Sequence, residues 1–206
     1  MHVMAELGAV PGLLKTLDGD DPDERLMALM TLGSMREDAA EAVPAMAALL
    51  GRDDPQLVQA TIAALGTIGP SSAPAIPALV PLIADRDYRE QVFRAFVGIG
   101  APAVEALLAE LGDGSRPTIA AVCTALGDIA ARPDIAVPAL RAILNDRETL
   151  HWPMRRAAVA AALGGYGPAA RAAIGDLKKA LKDDAQSVQQ AAAAALAQIE
   201  GEESSP

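Results

Sequence analysis

Apolar positions along the chain recur with the rhythm of an α-helix. Leu57, Thr61, Leu65 and Ile68 fall at spacings of four, four and three, which puts them on one helical face. Ile76, Leu79, Val80 and Ile83 show the same face on a second segment, and Gly69-Pro70 breaks the chain between the two. The pattern predicts two helices with facing apolar stripes. Pro77 suits the start of the second helix, because a first-turn N–H has no intrahelical acceptor to lose. Asp53 and Asp54 precede the first helix, where a carboxylate can cap free N–H groups and meet the positive dipole end.

This pair of segments repeats. AVPGLL from Ala9 returns as AVPAMA, AIPALV, AVEALL, AVPALR and AIGDLK, at spacings of 33, 33, 28, 33 and 37 residues. Between these copies lies a second phrase: ALMTLGSM from Ala28, TIAALGTIG, VFRAFVGIG, VCTALGDIA, VAAALGGYG and AAAALAQIE. The joints are rich in acids and turn formers: GDDPDE, GRDDP, ADRD, GDGSRP, NDRE and KDDAQ. The chain opens on a second-type helix and closes on a first-type helix. The expected fold is therefore all-α: about a dozen helices, five full helix pairs with a half unit at each end, and no sheet. One pair cannot bury its apolar face alone, whereas stacked pairs can, which makes an α-α superhelix or solenoid. Residues 1–200 read as a single domain and 201–206, GEESSP, as a disordered acidic tail. The end helix is a poor cap, since Ala191 to Ala195 is small and apolar throughout.

The repeated phrases resemble the HEAT-repeat family, in particular the short bacterial phycobilisome-lyase-like HEAT repeats. The carrying residues are the Asp-rich joint, a Val-Arg-like pair opening the first helix, its Leu-Gly-x-Ile-Gly end, and the Ala-Val-Pro-x-Leu start of the second. The resemblance spans about residues 3–199. It departs at the Val-Arg pair, which reads Glu24-Arg25, Leu57-Val58, Tyr88-Arg89, Thr118-Ile119, Arg155-Arg156 and Val188-Gln189. The Asp–Arg ladder that the family implies is therefore incomplete. The resemblance also implies that second helices line a concave side.

Composition narrows the function classes. Half of the chain is hydrophobic and only 2% aromatic, so Ala, Leu, Val, Ile and Met must fill the core, as in close helix packing. A net charge of −10 argues against nucleic acid and anionic membrane surfaces as partners. The densest basic stretch, Lys178, Lys179 and Lys182, runs straight into Asp183 and Asp184. No window holds 18 uninterrupted apolar residues, and the start MHVMAELGAVPG has no basic opening or long apolar stretch. With one cysteine, Cys123, no intrachain disulfide forms. These features point to the cytoplasm.

Catalytic chemistry is thin. His2, His151 and Cys123 lie far apart with no His-Glu pair, so neither a zinc set nor the iron site of HEAT-type hydroxylases is expected, and no cofactor. Cys123 aligns with Ile62 and Phe93 on an apolar face and reads as core. Gly164, Gly165 and Gly167 follow a helix, without a P-loop lysine, and read as a helix end. The acidic run from Asp18 to Glu24 puts Asp23 and Leu29 where a calcium loop needs glycine and glutamate.

Two surfaces remain as binding candidates. Non-core positions of the second helices are Gly12 and Lys15, Ala45 and Ala48, Ala78 and Pro81, Ala106 and Ala109, Ala139 and Ala142, then Asp176 and Lys179. The four middle units thus present a smooth apolar groove, unless these alanines only permit close packing. The second candidate is NDRETLHWPMRR from Asn145, which carries the longest repeat spacing and the sole tryptophan. There Trp152, with His151, Glu148, Arg155 and Arg156, forms either a partner anchor or a plug that fills the joint. The function predicted is a non-enzymatic scaffold that binds another protein or peptide on a solenoid surface. The alternative is an accessory subunit of a lyase or modification complex that positions a substrate, as bilin-lyase-like proteins do.

Overall fold

The computed structural model describes residues 9–113, 116–146 and 151–201. Among these residues there are twelve α-helices and no strand. In chain order they are α1 (Ala9–Leu17), α2 (Pro22–Met35), α3 (Val43–Leu49), α4 (Pro55–Ile68), α5 (Ile76–Leu79), α6 (Arg89–Ile99), α7 (Val104–Asp113), α8 (Arg116–Ile129), α9 (Pro133–Asn145), α10 (Pro153–Gly165), α11 (Ile174–Ala180) and α12 (Gln186–Glu200). Even-numbered helices are of the first type and odd-numbered ones of the second. The order is the expected one, five pairs between two half units.

Local chemistry explains the helix ends. The Asp21 side chain accepts from the backbone N–H of Asp23 and Glu24 at 2.9 and 3.2 Å, and Pro22 takes the first helical position of α2. Asp54 does the same for α4, accepting from Leu57 N–H at 3.1 Å ahead of Pro55. Gly69 ends α4 with φ +84°, a conformation that glycine adopts without a Cβ clash. Between first and second helices the chain runs through 3-10 turns such as Gly69–Ala75 and Gly167–Ala173.

One helix is shorter than its periodicity suggests. α5 stops at Leu79 and continues as a 3-10 turn, Val80–Ala84. Pro81 has no N–H for an α-helical bond and its ring crowds the preceding turn, so the tighter turn takes over. Leu79 and Ile83 still reach the core, while Ile76 and Val80 are half-buried. The whole stretch Pro55–Ala84 is apolar, with mean hydropathy 1.3 over its best window. It is two helices broken at Gly69, and α4 alone has 14 residues.

The chain divides into two compact units, Met1–Ala103 and Val104–Pro206. In the first, Leu29, Leu32, Met46, Ile62, Leu65, Leu79, Phe96 and Ile99 make the core. Phe93 and Phe96 meet edge to face with centroids 6.4 Å apart. In the second, Leu107, Leu126, Leu140, Val159, Leu163, Leu177 and Val188 do so. Within each unit the first-type helices pack tightly side by side through glycine. A Cβ on Gly33 or Gly66 would lie 3.3 or 2.8 Å from the Cα of Ala64 or Ala95 in the next first-type helix. Gly127 and Gly164 stand in the same register against Ala162 and Ala195, at 3.4 and 2.9 Å. Of the tail 201–206, only Gly201 lies within the described residues.

Candidate functional site

The Arg–Asp contacts between successive first-type helices set the frame. In the first unit, Arg25 of α2 reaches Asp54, the cap of α4, with Nη2 to Oδ2 at 3.5 Å. The space between them, lined by Pro22, Arg25, Leu26, Asp54, Gln56 and Leu57, is about 10 Å³. In the second unit, Arg156 of α10 donates through Nε and Nη2 to the two carboxylate oxygens of Asp183, at 2.8 and 2.7 Å. Arg25 and Arg156 each stand seven residues before the leucine of their repeat phrase, Leu32 and Leu163. The two arginines share a register, whereas the acids differ: Asp54 stands at the cap position of its helix and Asp183 two residues before it.

Between α8 and α10 the rung is missing. The residue seven before Leu126 is Ile119, and the position matching Asp54 is Trp152. The two helices close tightly at Gly127, then leave a cavity of about 370 Å³ toward their N-terminal ends. Its walls are Ile119 and Ala120 from α8, with His151, Trp152, Pro153, Met154, Arg155, Ala157 and Ala158 from α10 and its lead-in. Trp152 occupies the cap position of α10 with no side-chain cap bond, unlike Asp21 and Asp54.

The residues expected at the insertion separate. Trp152 is 36% exposed and Met154 74%, both at the mouth of the cleft. His151 is exposed beside them. Arg155 lines the wall, and its Nη2 donates to the Leu111 carbonyl at 2.8 Å. Its Nε is buried without a hydrogen-bond partner. Arg156 is a correction to the expected surface pair. It is 6% exposed and spent on Asp183, because its position on α10, about 100° round from Arg155, faces the segment that leads into α12. Glu148 lies outside the described residues. Sequence reasoning missed Met154, Ala120, Ala157 and Ala158. Met154 carries a signal, an apolar residue where α4 has Gln56.

On the second-type helices, Ala45, Ala48, Pro81, Ala109 and Ala142 are exposed, and Ala78, Ala106 and Ala139 half-buried. Asp176 departs from its expected non-core place. It is buried and accepts from Arg141 Nε at 2.7 Å, with Lys179 Nζ at 3.3 Å. Desolvation works to raise its pKa, and the bonds from Arg141 and Lys179 overcome it, so the carboxyl is held below its usual range. Cys123 is buried as expected, and burial pushes its thiol up to about 12, against the charge of Arg155. Among the described residues no group of three or more His, Cys, Asp or Glu is placed to hold a metal ion.

Fold and cleft together define an α-helical repeat protein with an apolar recess between two first-type helices. Residues 10–98 match a family model described as HEAT repeats. No curated protein matches it in sequence. A crystal structure of an engineered protein is similar at TM-score 0.50 and 23% identity, covering 94% of this chain and 97% of that one. Human deoxyhypusine hydroxylase in complex with glycerol is similar at TM-score 0.51 and 20% identity, covering 97% and 88%. The complex of CpcE and CpcF of phycocyanin lyase from Nostoc sp. PCC7120 gives TM-score 0.49 and 23% identity, covering 91% and 75%. The first two likenesses are of fold alone, and the third carries no argument.

Proposed function

We propose that the protein is a non-enzymatic scaffold that holds another protein or peptide, with Trp152 at the centre of the contact. The α8–α10 cleft carries this reading. It is apolar, open and within the range of small binding pockets, roughly 300–1,000 Å³. Trp152 and Met154 stand at its mouth, with Arg155 in its wall. Trp and Arg are the residue types most enriched among interface hot spots. Among the described residues that line the cleft no nucleophile is paired with a base, and Cys123 is buried as a thiol.

The test is comparative affinity purification of the wild-type chain and Trp152→Ala from the source cells, with quantitative identification of bound proteins. A partner retained by the wild type and depleted at least tenfold in the variant is the expected result. A partner held equally by both would move the contact to the alanine-lined second helices, Ala45 to Ala142. No partner enriched over an unrelated repeat protein would overturn the scaffold reading.

A further inference from the structure

We infer that the α8–α10 cleft is a socket for one large apolar side chain of a partner peptide, next to a carboxylate that Arg155 receives. The inference rests on the scaffold reading and names the chemistry of its partner. It comes from comparing one position in two places of the same chain. Where α2 meets α4, Arg25 and Asp54 close the space to about 10 Å³. Where α8 meets α10, Ile119 and Trp152 stand at those positions and about 370 Å³ is open. Gln56 of the closed site corresponds to Met154 of the open one, and Leu57 to Arg155. Three exchanges turn a polar lock into an apolar recess, and the fourth puts a cation into its wall.

The occupant follows from the residues that line the recess. Ile119, Met154, Ala158 and the ring of Trp152 offer mainly apolar surface, so an apolar side chain seated among them gains most from leaving water. At about 370 Å³ the recess lies within the size range of small binding pockets, with room for an aromatic or long aliphatic side chain. Arg155 lines the wall and spends Nη2 on the neutral Leu111 carbonyl, so no carboxylate among the described residues neutralises its charge. An acceptor of negative charge is its complement, and a basic residue there would meet repulsion. The occupant is therefore a peptide segment with Phe, Leu, Met or Trp adjoining Asp or Glu.

Panning a random heptapeptide display library on the intact chain tests this. Enriched peptides are expected to share a large apolar residue beside an acid. Because Trp152 is the sole tryptophan of the protein, binding of those peptides that lack tryptophan should move its emission to the blue. Two variants close or block the socket: the double substitution Ile119→Arg with Trp152→Asp, which copies the Arg25–Asp54 arrangement, and Met154→Arg at the exposed mouth, which leaves the core alone. Both should lower affinity for the enriched peptides at least tenfold. Peptides enriched without an acid, or losing less than tenfold with Met154→Arg, would overturn the socket and leave the scaffold reading standing. A library that yields no enriched peptide would likewise overturn the socket, and the affinity purification decides the scaffold reading separately.

Discussion

Arg156 and Asp183 illustrate what one residue contributes. Two bonds at 2.8 and 2.7 Å join side chains almost out of solvent, and Asp183 also accepts from Ala185 N–H at 2.9 Å. The Arg156 bond holds the Asp183 carboxyl below its usual range, against the desolvation that works to raise it. A depressed folded pKa gives stability that is present above the unfolded aspartate value of about 3.9 and lost as pH falls through the folded value. Arg156→Met is expected to lower unfolding free energy by about 2–3 kcal/mol at neutral pH, somewhat less than for a fully buried pair. The variant should lose much less further stability than the wild type below about pH 4. Denaturant titrations at neutral and acid pH check both, and equal losses at the two pH values would refute the ion-pair account. Trp152 is the opposite case, a residue that gives up a local stabilisation. A cap of the Asp21 type contributes about 1 kcal/mol. Trp152→Asp should therefore leave the melting temperature nearly unchanged, the new cap offsetting the lost apolar contact. Trp152→Ala gains no cap and should lose about 1–2 kcal/mol, against about 3–5 kcal/mol for a fully buried tryptophan. Thermal melts of the two variants decide whether Trp152 is anchor or plug. The sequence left that choice open because exposure depends on how far α8 and α10 part, which no local pattern states. The burial of Arg156 was not legible either, because its partner Asp183 lies 27 residues further on and no local pattern pairs them.

At the scale of elements, the stack depends on how closely first-type helices approach. A Cβ on Gly165 would lie 2.6 Å from the Gly127 carbonyl oxygen and 2.7 Å from its Cα, so neighbouring backbone would have to move. Gly165→Ala is expected to destabilise the protein by about 1–3 kcal/mol, the range of overpacked cores, despite the higher helix propensity of alanine. Gly12 in α1 is the control, exposed and with no atom within 4 Å of where a Cβ would stand. There the propensity gain acts alone, and Gly12→Ala should stabilise by up to about 1 kcal/mol. Urea midpoints of the two variants should move in opposite directions; a shared direction would show that helix spacing does not govern these sites. The order and type of helices were legible because each phrase carries its own periodicity, cap and stop. The glycine contacts were less so. Leu-Gly in a repeat reads equally as a helix end, and only the stacked neighbours Ala64, Ala95, Ala162 and Ala195 reveal it as an approach surface. α5 was overestimated because its apolar spacing runs on through Pro81, where the hydrogen bonding does not.

Across the molecule, repeats couple mainly to their neighbours, so stability is closer to a sum of local terms than to a single value. The division into Met1–Ala103 and Val104–Pro206, each with its own apolar core, sets where that sum should break. The reading of residues 1–200 as one domain came from the repeat's continuity in sequence, which carries no measure of cooperativity. Gly66 lies at the α4–α6 contact, where a Cβ would stand 2.8 Å from the Ala95 Cα, and Gly165 at the contact with Gly127. Alanine at either glycine strains one unit. If the units open separately, Gly66→Ala should speed amide hydrogen exchange in α2, α4 and α6 while α8, α10 and α12 keep their protection. Gly165→Ala should give the mirror image. The size of the effect follows the opening free energy, so about 1.4 kcal/mol of strain corresponds to roughly tenfold faster exchange through the opened state. Exchange that rises by the same factor in all six helices for both variants would mean that the array opens as one body, and the single domain read from the repeat would be the cooperative unit after all.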